Sequence, residues 1–217
     1  VSLFWFVAVT NAVNLLDNMD GVAGGVAAIA SAFLAFLLFL DGQGGLAVMA
    51  LALACSAVGF LAHNYPPARI FMGDSGALFL GLLLSGLALA PAQGLSRSLA
   101  AVVLVPAAVL AVPLLDTALV TVGRLLEGRS IAQGGRDHTA HHLVSLGVSE
   151  ERAMWVLWGL AALGGGVGLL VRGAERGTAL LLGGLLTVVL GMVAAYTLRL
   201  RLQALESTGG RSELLGA

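Results

Sequence analysis

Acid and amide side chains cluster where the first apolar run of this sequence ends. Asn11, Asn14, Asp17 and Asp20 recur every three residues, and residues three apart share a face of a helix. A solvated helix end is one interpretation, but an unpaired amide in an apolar turn is costly, and such residues usually line a bundle interior or a water-filled cavity. Because carboxylate and amide oxygens suit a hard cation such as Mg²⁺, the pattern favours a functional site.

A second polar cluster lies in HNYPPARIFMGDSGALFLG, residues 63–81. The prolines at 66–67 cannot continue a helix, so the chain must turn there. Asp74 then stands just before the next apolar run, at the mouth of a helix predicted to begin near Ser75. Either residue could be an ordinary N-cap, and the backbone N–H groups of a helix start also favour an anion such as a pyrophosphate.

The third cluster is GGRDHTAHHLVSLGVSEE, residues 134–151, which holds three of the four histidines of the chain. His138, His141 and His142 have a spacing that could ligate zinc on one helix face. The cluster contains no Cys, however, and the neighbouring Arg136 would repel a cation. Binding of an anionic diphosphate therefore fits better, with a solvated loop as the alternative.

One further acid, Asp116 in VPLLDTALV, interrupts an apolar run. A charge at such a depth needs a cavity, a partner or a raised pKa. We expect Asp116 to belong to a buried polar network near the site, in a role that is either structural or catalytic.

The elements that position these residues are predicted to be membrane-spanning helices. The chain has 217 residues, 59% of them hydrophobic and 11% charged, with a mean hydropathy of +0.97. Its apolar runs approach the roughly 20 residues that a helical crossing needs and lack the alternation of barrel strands. The predicted fold class is therefore all-α, a polytopic helical bundle. A net charge of -1 gives no electrostatic support for a nucleic-acid partner.

Seven spans are predicted, with boundaries approximate, in a single transmembrane domain over 1–200 that is followed by a polar tail over 201–217. The spans are 1–16, 22–40, 46–62, 77–93, 98–123, 153–171 and 178–198. The loops at 17–21, 63–76 and 124–152 then share one side with the tail. That side carries Arg69, Arg124, Arg129, Arg136, Arg152, Arg199, Arg201 and Arg211, against Arg97, Arg172 and Arg176 on the other. The excess predicts a cytoplasmic location for these loops.

Four segments together resemble the polyprenyl-phosphate N-acetylhexosamine-1-phosphate transferases of glycosyl transferase family 4. They are NAVNLLDNMDG, YPPARIFMGDSG, PLLDT and GRDHTAHH, in the order and at separations similar to those of the family. The resemblance implies transfer of a sugar 1-phosphate, expected to be N-acetylglucosamine 1-phosphate, from a UDP-amino sugar to a polyprenyl phosphate with release of UMP. It also implies a bacterial plasma-membrane enzyme with a cytoplasmic active site, which begins cell-wall or surface polysaccharide assembly.

Carried over by position, the resemblance implies Mg²⁺, with Mn²⁺ as the alternative, held by Asn14 and Asp74. The expected partners are the UDP-amino sugar, the lipid phosphate and the membrane, and a homodimer stays open. The predicted catalytic residues are Asp17, Asp20, His138 and His141, and the predicted substrate-binding residues are Asn11, Arg69, Asp116 and Arg136.

The sequence also departs from the family pattern. Family members are longer and carry an Asp-Asp motif in an early cytoplasmic loop, whereas no adjacent aspartates occur here, so we expect a C-terminal fragment. Many members have histidine at the position of Ala140 and arginine at that of His142. Two competing hypotheses are an inactive family member and a transporter or channel fragment with Asp116 in an ion path, although the repeat symmetry of transporters is not evident.

Overall fold

A computed structural model describes residues 2–94, 99–130 and 138–215, and this part of the chain is helical without strands. The predicted all-α class is thereby confirmed. The helices are α1 (Ser2–Leu16), α2 (Val22–Leu40), α3 (Gly44–Asn64), α4 (Gly73–Gly94), α5 (Leu99–Val109), α6 (Ala111–Leu126), α7 (Thr139–Ser145), α8 (Glu150–Arg172) and α9 (Arg176–Leu215).

Five of the described helices are long and apolar enough to cross a membrane, which makes this a multi-pass membrane protein. They are α2, α3, α4 over Gly73–Ala90, α8 and α9 over Arg176–Tyr196. The predicted run at 1–16 forms α1, an apolar helix of 15 residues. At the other end of the chain, α9 continues beyond the predicted span at 178–198 as far as Leu215.

The apolar run predicted as a span over 98–123 is helical but sharply bent in the structure. The chain bends by 80° at Leu110, between α5 and α6. Pro113 explains why a helix cannot run straight through this point, because its ring would clash with the carbonyl of residue 109 and it has no N–H to donate. Pro113 is instead accommodated in the first turn of α6, where backbone N–H groups have no partner within the helix. Asp116 follows one turn later.

The bundle has a large central core and a smaller cluster near one end. The central core joins buried side chains from most of the spanning helices, including Val13, Leu34 and Leu84. The smaller cluster, called the end cluster below, consists of Leu16, Val22, Val26, Val112, Ala140, Met154, Leu157 and Ala161. It ties the end of α1 and the start of α2 to α6, α7 and α8.

Contacts between helix ends define the two ends of the bundle. At one end, Arg172 of α8 donates from Nε to Oδ1 of Asp41, 2.6 Å away, just after α2. At the other end, the turn after α1, the loop between α3 and α4, and the first half of α8 meet. The loops that carry the predicted chemistry at 17–21 and 63–76 therefore lie at the same end, with the start of α8.

Candidate active site

The turn between α1 and α2 is held in place by side chains from two other helices. Gly21 has φ 73°, which a glycine adopts without strain, and a Cβ there would approach the Met154 sulfur to 2.5 Å. Its N–H donates to Oδ1 of Asn64, 2.9 Å away, and its carbonyl accepts from Nε1 of Trp158 at 3.1 Å. Since both groups that orient the turn come from α3 and α8, its acids have a defined position.

The loop between α3 and α4 is joined to the same turn. Asn64 is buried, and its Nδ2 donates to the carbonyl of Ile70 at 2.9 Å. Asp20 accepts a hydrogen bond at Oδ2 from the N–H of Ala68, also at 2.9 Å. The amide of Asn64 and the carboxylate of Asp20 thus link two loops that are more than forty residues apart in sequence.

Asp17 lies close enough to two other carboxylates of these loops for their charges to raise its pKa. Partial burial raises the pKa of Asp17, and the charges of Asp74 and Asp20 raise it further, while a backbone hydrogen bond from Gly73 acts in the opposite direction. Asp17 is also linked to α1, because its N–H donates to the carbonyl of Asn14 at 3.2 Å. The structure therefore concentrates negative charge from Asp17, Asp20 and Asp74 at one place, called the acidic site below.

The acidic site has the donor chemistry for a divalent cation that arrives with a phosphate. No group of three or more His, Cys, Asp and Glu side chains within 2–94, 99–130 and 138–215 is arranged to hold a metal without other ligands. Mg²⁺ rarely uses such a cage, since it normally binds one or two protein carboxylates, several waters and the phosphates of a substrate. The mutual repulsion at Asp17 is also what a bound cation would relieve.

A second polar group, the buried pair of Asp116 and His138, lies between α6 and the start of α7. Oδ2 of Asp116 is 2.8 Å from Nδ1 of His138, and both side chains are at least nine-tenths buried. Oδ1 accepts from the N–H of Thr139 at 2.7 Å. The predicted buried network around Asp116 is therefore present, and its partner is the first histidine of the basic loop.

The end cluster joins the start of α7 to the helices that flank the acidic turn. Ala140 is 1% exposed and packs in the same cluster as Leu16 and Val22, the residues that flank residues 17–21. The alanine that stands where many family members have histidine is thus part of an apolar contact. His141 is half-buried, and the predicted residue Arg136 lies outside the described residues.

Two of the other predicted substrate-binding residues, Asn11 and Arg69, are exposed. The side chain of Asn11 donates from Nδ2 to the carbonyl of Val7 in its own helix at 2.7 Å, and the residue is exposed. Arg69 is exposed as well, although its N–H bonds the carbonyl of His63 at 2.7 Å. No described hydrogen bond of either side chain joins it to the acidic site.

The residues that hold the loops together were not among those predicted from the sequence. Asn64 stands at the end of an apolar run, where an unpaired amide is as costly as at Asn14, so its position was a usable signal. The sequence around Trp158 did not indicate a role at the site, because it is that of an ordinary apolar helix. Tyr65 donates from its hydroxyl to Glu151, which links the second loop to the start of α8 and raises the pKa of Tyr65.

Comparison with known proteins gives a consistent result. The profile of glycosyl transferase family 4 matches residues 1–92, which include the acidic site. A Streptomyces coelicolor protein named as a glycosyltransferase is 39% identical over 87% of this chain and 46% of its own length. The Bacillus subtilis "Probable undecaprenyl-phosphate N-acetylglucosaminyl 1-phosphate transferase" is 30% identical over 73% of this chain and 44% of its length.

A third relative is the decaprenyl-phosphate N-acetylglucosaminephosphotransferase of Mycobacterium leprae, 37% identical over 54% of this chain and 33% of its length. The chain therefore spans less than half the length of each of these relatives. The matches confirm the resemblance carried by the four sequence motifs. This chain belongs to glycosyl transferase family 4, together with these polyprenyl-phosphate sugar-1-phosphate transferases.

Proposed function

We propose that the protein transfers N-acetylglucosamine 1-phosphate from UDP-N-acetylglucosamine to a polyprenyl phosphate at the cytoplasmic face of a bacterial plasma membrane. An oxygen of the lipid phosphate attacks the phosphorus that bears the sugar, and the bond to the UMP oxygen breaks. The products are a lipid diphosphate sugar and UMP. The names of the relatives support the reaction class, and the sugar and the nucleotide are part of the proposal.

The observation that carries this proposal is the convergence of Asp17, Asp20 and Asp74 at one end of the bundle. Two anionic substrates must approach each other during phosphoryl transfer, so charge neutralisation and positioning dominate the chemistry. We assign Asn14 and Asp74 as the protein ligands of Mg²⁺, which when bound would neutralise charge on the phosphates and on the departing UMP.

The remaining acids have roles that follow from their surroundings. Asp20 accepts a hydrogen bond from the N–H of Ala68 in the second loop, so it is suited to line the nucleotide-sugar site in a fixed position. Asp17 is only partly buried and has a raised pKa, which favours it as the acceptor of the last proton of the lipid phosphate, since a base works best with a pKa near the working pH. The basic loop of Arg136, His138 and His141 would bind the diphosphate.

The test is an assay of UMP release by the full-length protein in nanodiscs, with UDP-N-acetylglucosamine and undecaprenyl phosphate, with and without Mg²⁺. Asp74→Asn removes one carboxylate charge and should lower turnover by about 100-fold or more. Glu175→Gln is the matched control, because it neutralises an exposed acid between α8 and α9, at the opposite end of the bundle.

Three results would contradict the proposal. They are undiminished turnover in a chelator, near wild-type turnover of Asp74→Asn, and an equal loss in Glu175→Gln. UMP release without a polyprenyl phosphate would point instead to hydrolysis of the nucleotide sugar.

A further inference from the structure

The buried pair of Asp116 and His138 does more than neutralise a charge inside the bundle. Asp116 uses both carboxylate oxygens, one for the His138 ring at 2.8 Å and one for the N–H of Thr139 at 2.7 Å. Its side chain is 2% exposed. Since the carboxylate is almost completely buried and both of its oxygens already accept hydrogen bonds, it is engaged within the protein.

The bond to Nδ1 determines which nitrogen of His138 carries a proton in the neutral ring. A carboxylate only accepts hydrogen bonds, so Nδ1 must be the donor, and Nε2 is then left with its lone pair. Within the described residues, the ring has a hydrogen bond through Nδ1 alone. Nε2 is therefore the one ring atom that can interact with another group.

The second bond places the same carboxylate at the beginning of α7. His138 is the N-cap residue of α7, with an extended backbone at φ −83° and ψ 154°, and its own side chain caps nothing. Asp116 supplies the missing acceptor, because it binds the N–H of Thr139, the first residue of the helix. One acid on α6 thus holds both the ring of His138 and the backbone that carries it.

We propose that Asp116 is a positioning residue, which holds His138 in the Nδ1-protonated form and directs Nε2 to the diphosphate or sugar of the substrate. This inference rests on the proposed function and assigns Asp116 a role through His138 instead of substrate binding. The first turn of α7 packs through Ala140 in the end cluster, which also contains Met154, the α8 residue whose sulfur lies against Gly21 of the acidic turn. The pair is therefore joined to the acidic turn through α8.

Two substitutions of the histidine separate the roles of its nitrogens. His138→Asn retains an amide N–H near the position of Nδ1, so it can keep the bond to Asp116 while it lacks an atom at Nε2. Asp116→Asn retains an acceptor for the N–H of Thr139, but its amide donates to the ring and therefore favours the opposite tautomer. Asp41→Asn is the matched control, because Asp41 is a similarly buried carboxylate paired with Arg172 at the other end.

We expect His138→Asn and Asp116→Asn each to lower kcat by about 100-fold in the UMP-release assay, with the unfolding temperature close to that of wild type. The double variant should be no slower than His138→Asn, since Asp116 acts through the ring. Asp41→Asn should retain wild-type kcat. A multiplicative loss in the double variant, or a loss confined to stability, would overturn the inference.

A measurement without substrate distinguishes failure of this inference from failure of the proposed function. In full-length protein labelled with ¹⁵N-histidine, the signals of an Nδ1–H ring should be present in wild type and should vanish in His138→Asn. Asp116→Asn should convert that ring to the Nε2–H form. An unchanged tautomer in Asp116→Asn would refute the positioning role, whereas the expected change without transferase activity in wild type would refute only the proposed reaction.

Discussion

The substitution Gly164→Ala tests the packing of α8 against α5, which positions the bent pair α5 and α6. A Cβ at residue 164 would lie 2.3 Å from the carbonyl oxygen of Ala108, whereas ordinary contacts are 3.4–4 Å. The obstacle is backbone, so it cannot rotate away, and one of the helices must move by about 1 Å. Small residues at such crossings are what allow helices in membranes to approach closely.

The expected cost follows from two opposing terms. Overpacking of this kind costs about 1–3 kcal/mol, while the better helix propensity of alanine returns up to about 1 kcal/mol. We therefore expect a net loss of up to about 2 kcal/mol, or several degrees in unfolding temperature. Gly166→Ala is the control on the same helix, because a Cβ there meets nothing within 4 Å.

The assay is thermal unfolding of the full-length variants in one detergent, followed by intrinsic tryptophan fluorescence. Gly164→Ala should unfold below Gly166→Ala, and its remaining folded fraction should also turn over more slowly, because α6 carries Asp116. Equal unfolding temperatures for Gly164→Ala and Gly166→Ala would show that α8 does not pack against α5 in the described way.

Three other variants test the site and its supports. Asp17→Asn should raise the unfolding temperature in metal-free buffer at neutral pH, because the raised pKa means that ionised Asp17 destabilises the folded state. The gain in unfolding temperature should disappear as the pH falls toward the usual carboxyl range. A gain that persists there would contradict the raised pKa of Asp17. Asn64→Ala should cost about 1–3 kcal/mol, since the N–H of Gly21 and the carbonyl of Ile70 lose their partner, and unchanged denaturation would show that the amide is dispensable. Ala140→His should lower the unfolding temperature, because the site is 1% exposed and apolar; a stable variant would show that the end cluster has room for the family's histidine.

Much of the architecture was predictable because hydrophobicity and residue chemistry are local properties. Each of the seven apolar runs is helical in the described structure. The run at 98–123 is bent at Leu110, because Pro113 cannot continue a straight helix through that point. Asp17, Asp20 and Asp74 could be singled out because acids in an apolar chain are rare and costly. The topology predicted that the loops of these acids lie together, and the effect of the Asp20 and Asp74 charges on the pKa of Asp17 agrees with it.

The bonds that hold the site together were not predictable in the same way. Trp158 donates to the carbonyl of Gly21 across 137 residues of sequence, and neither residue type indicates which distant residue it will bind. The substrate-binding roles of Arg69 and Asn11 stay predictions, because both residues are exposed and their contact with a substrate depends on where that substrate lies.

Residue types and their order along the chain were sufficient for the membrane class, the helices, the acidic motifs and the family, because each of these depends on composition or short-range spacing. Only the folded arrangement decided that Asp116 binds His138 and that Asn64 connects two loops. The physical reason is that a buried polar group must find a partner, and helix packing determines which distant residue that partner is.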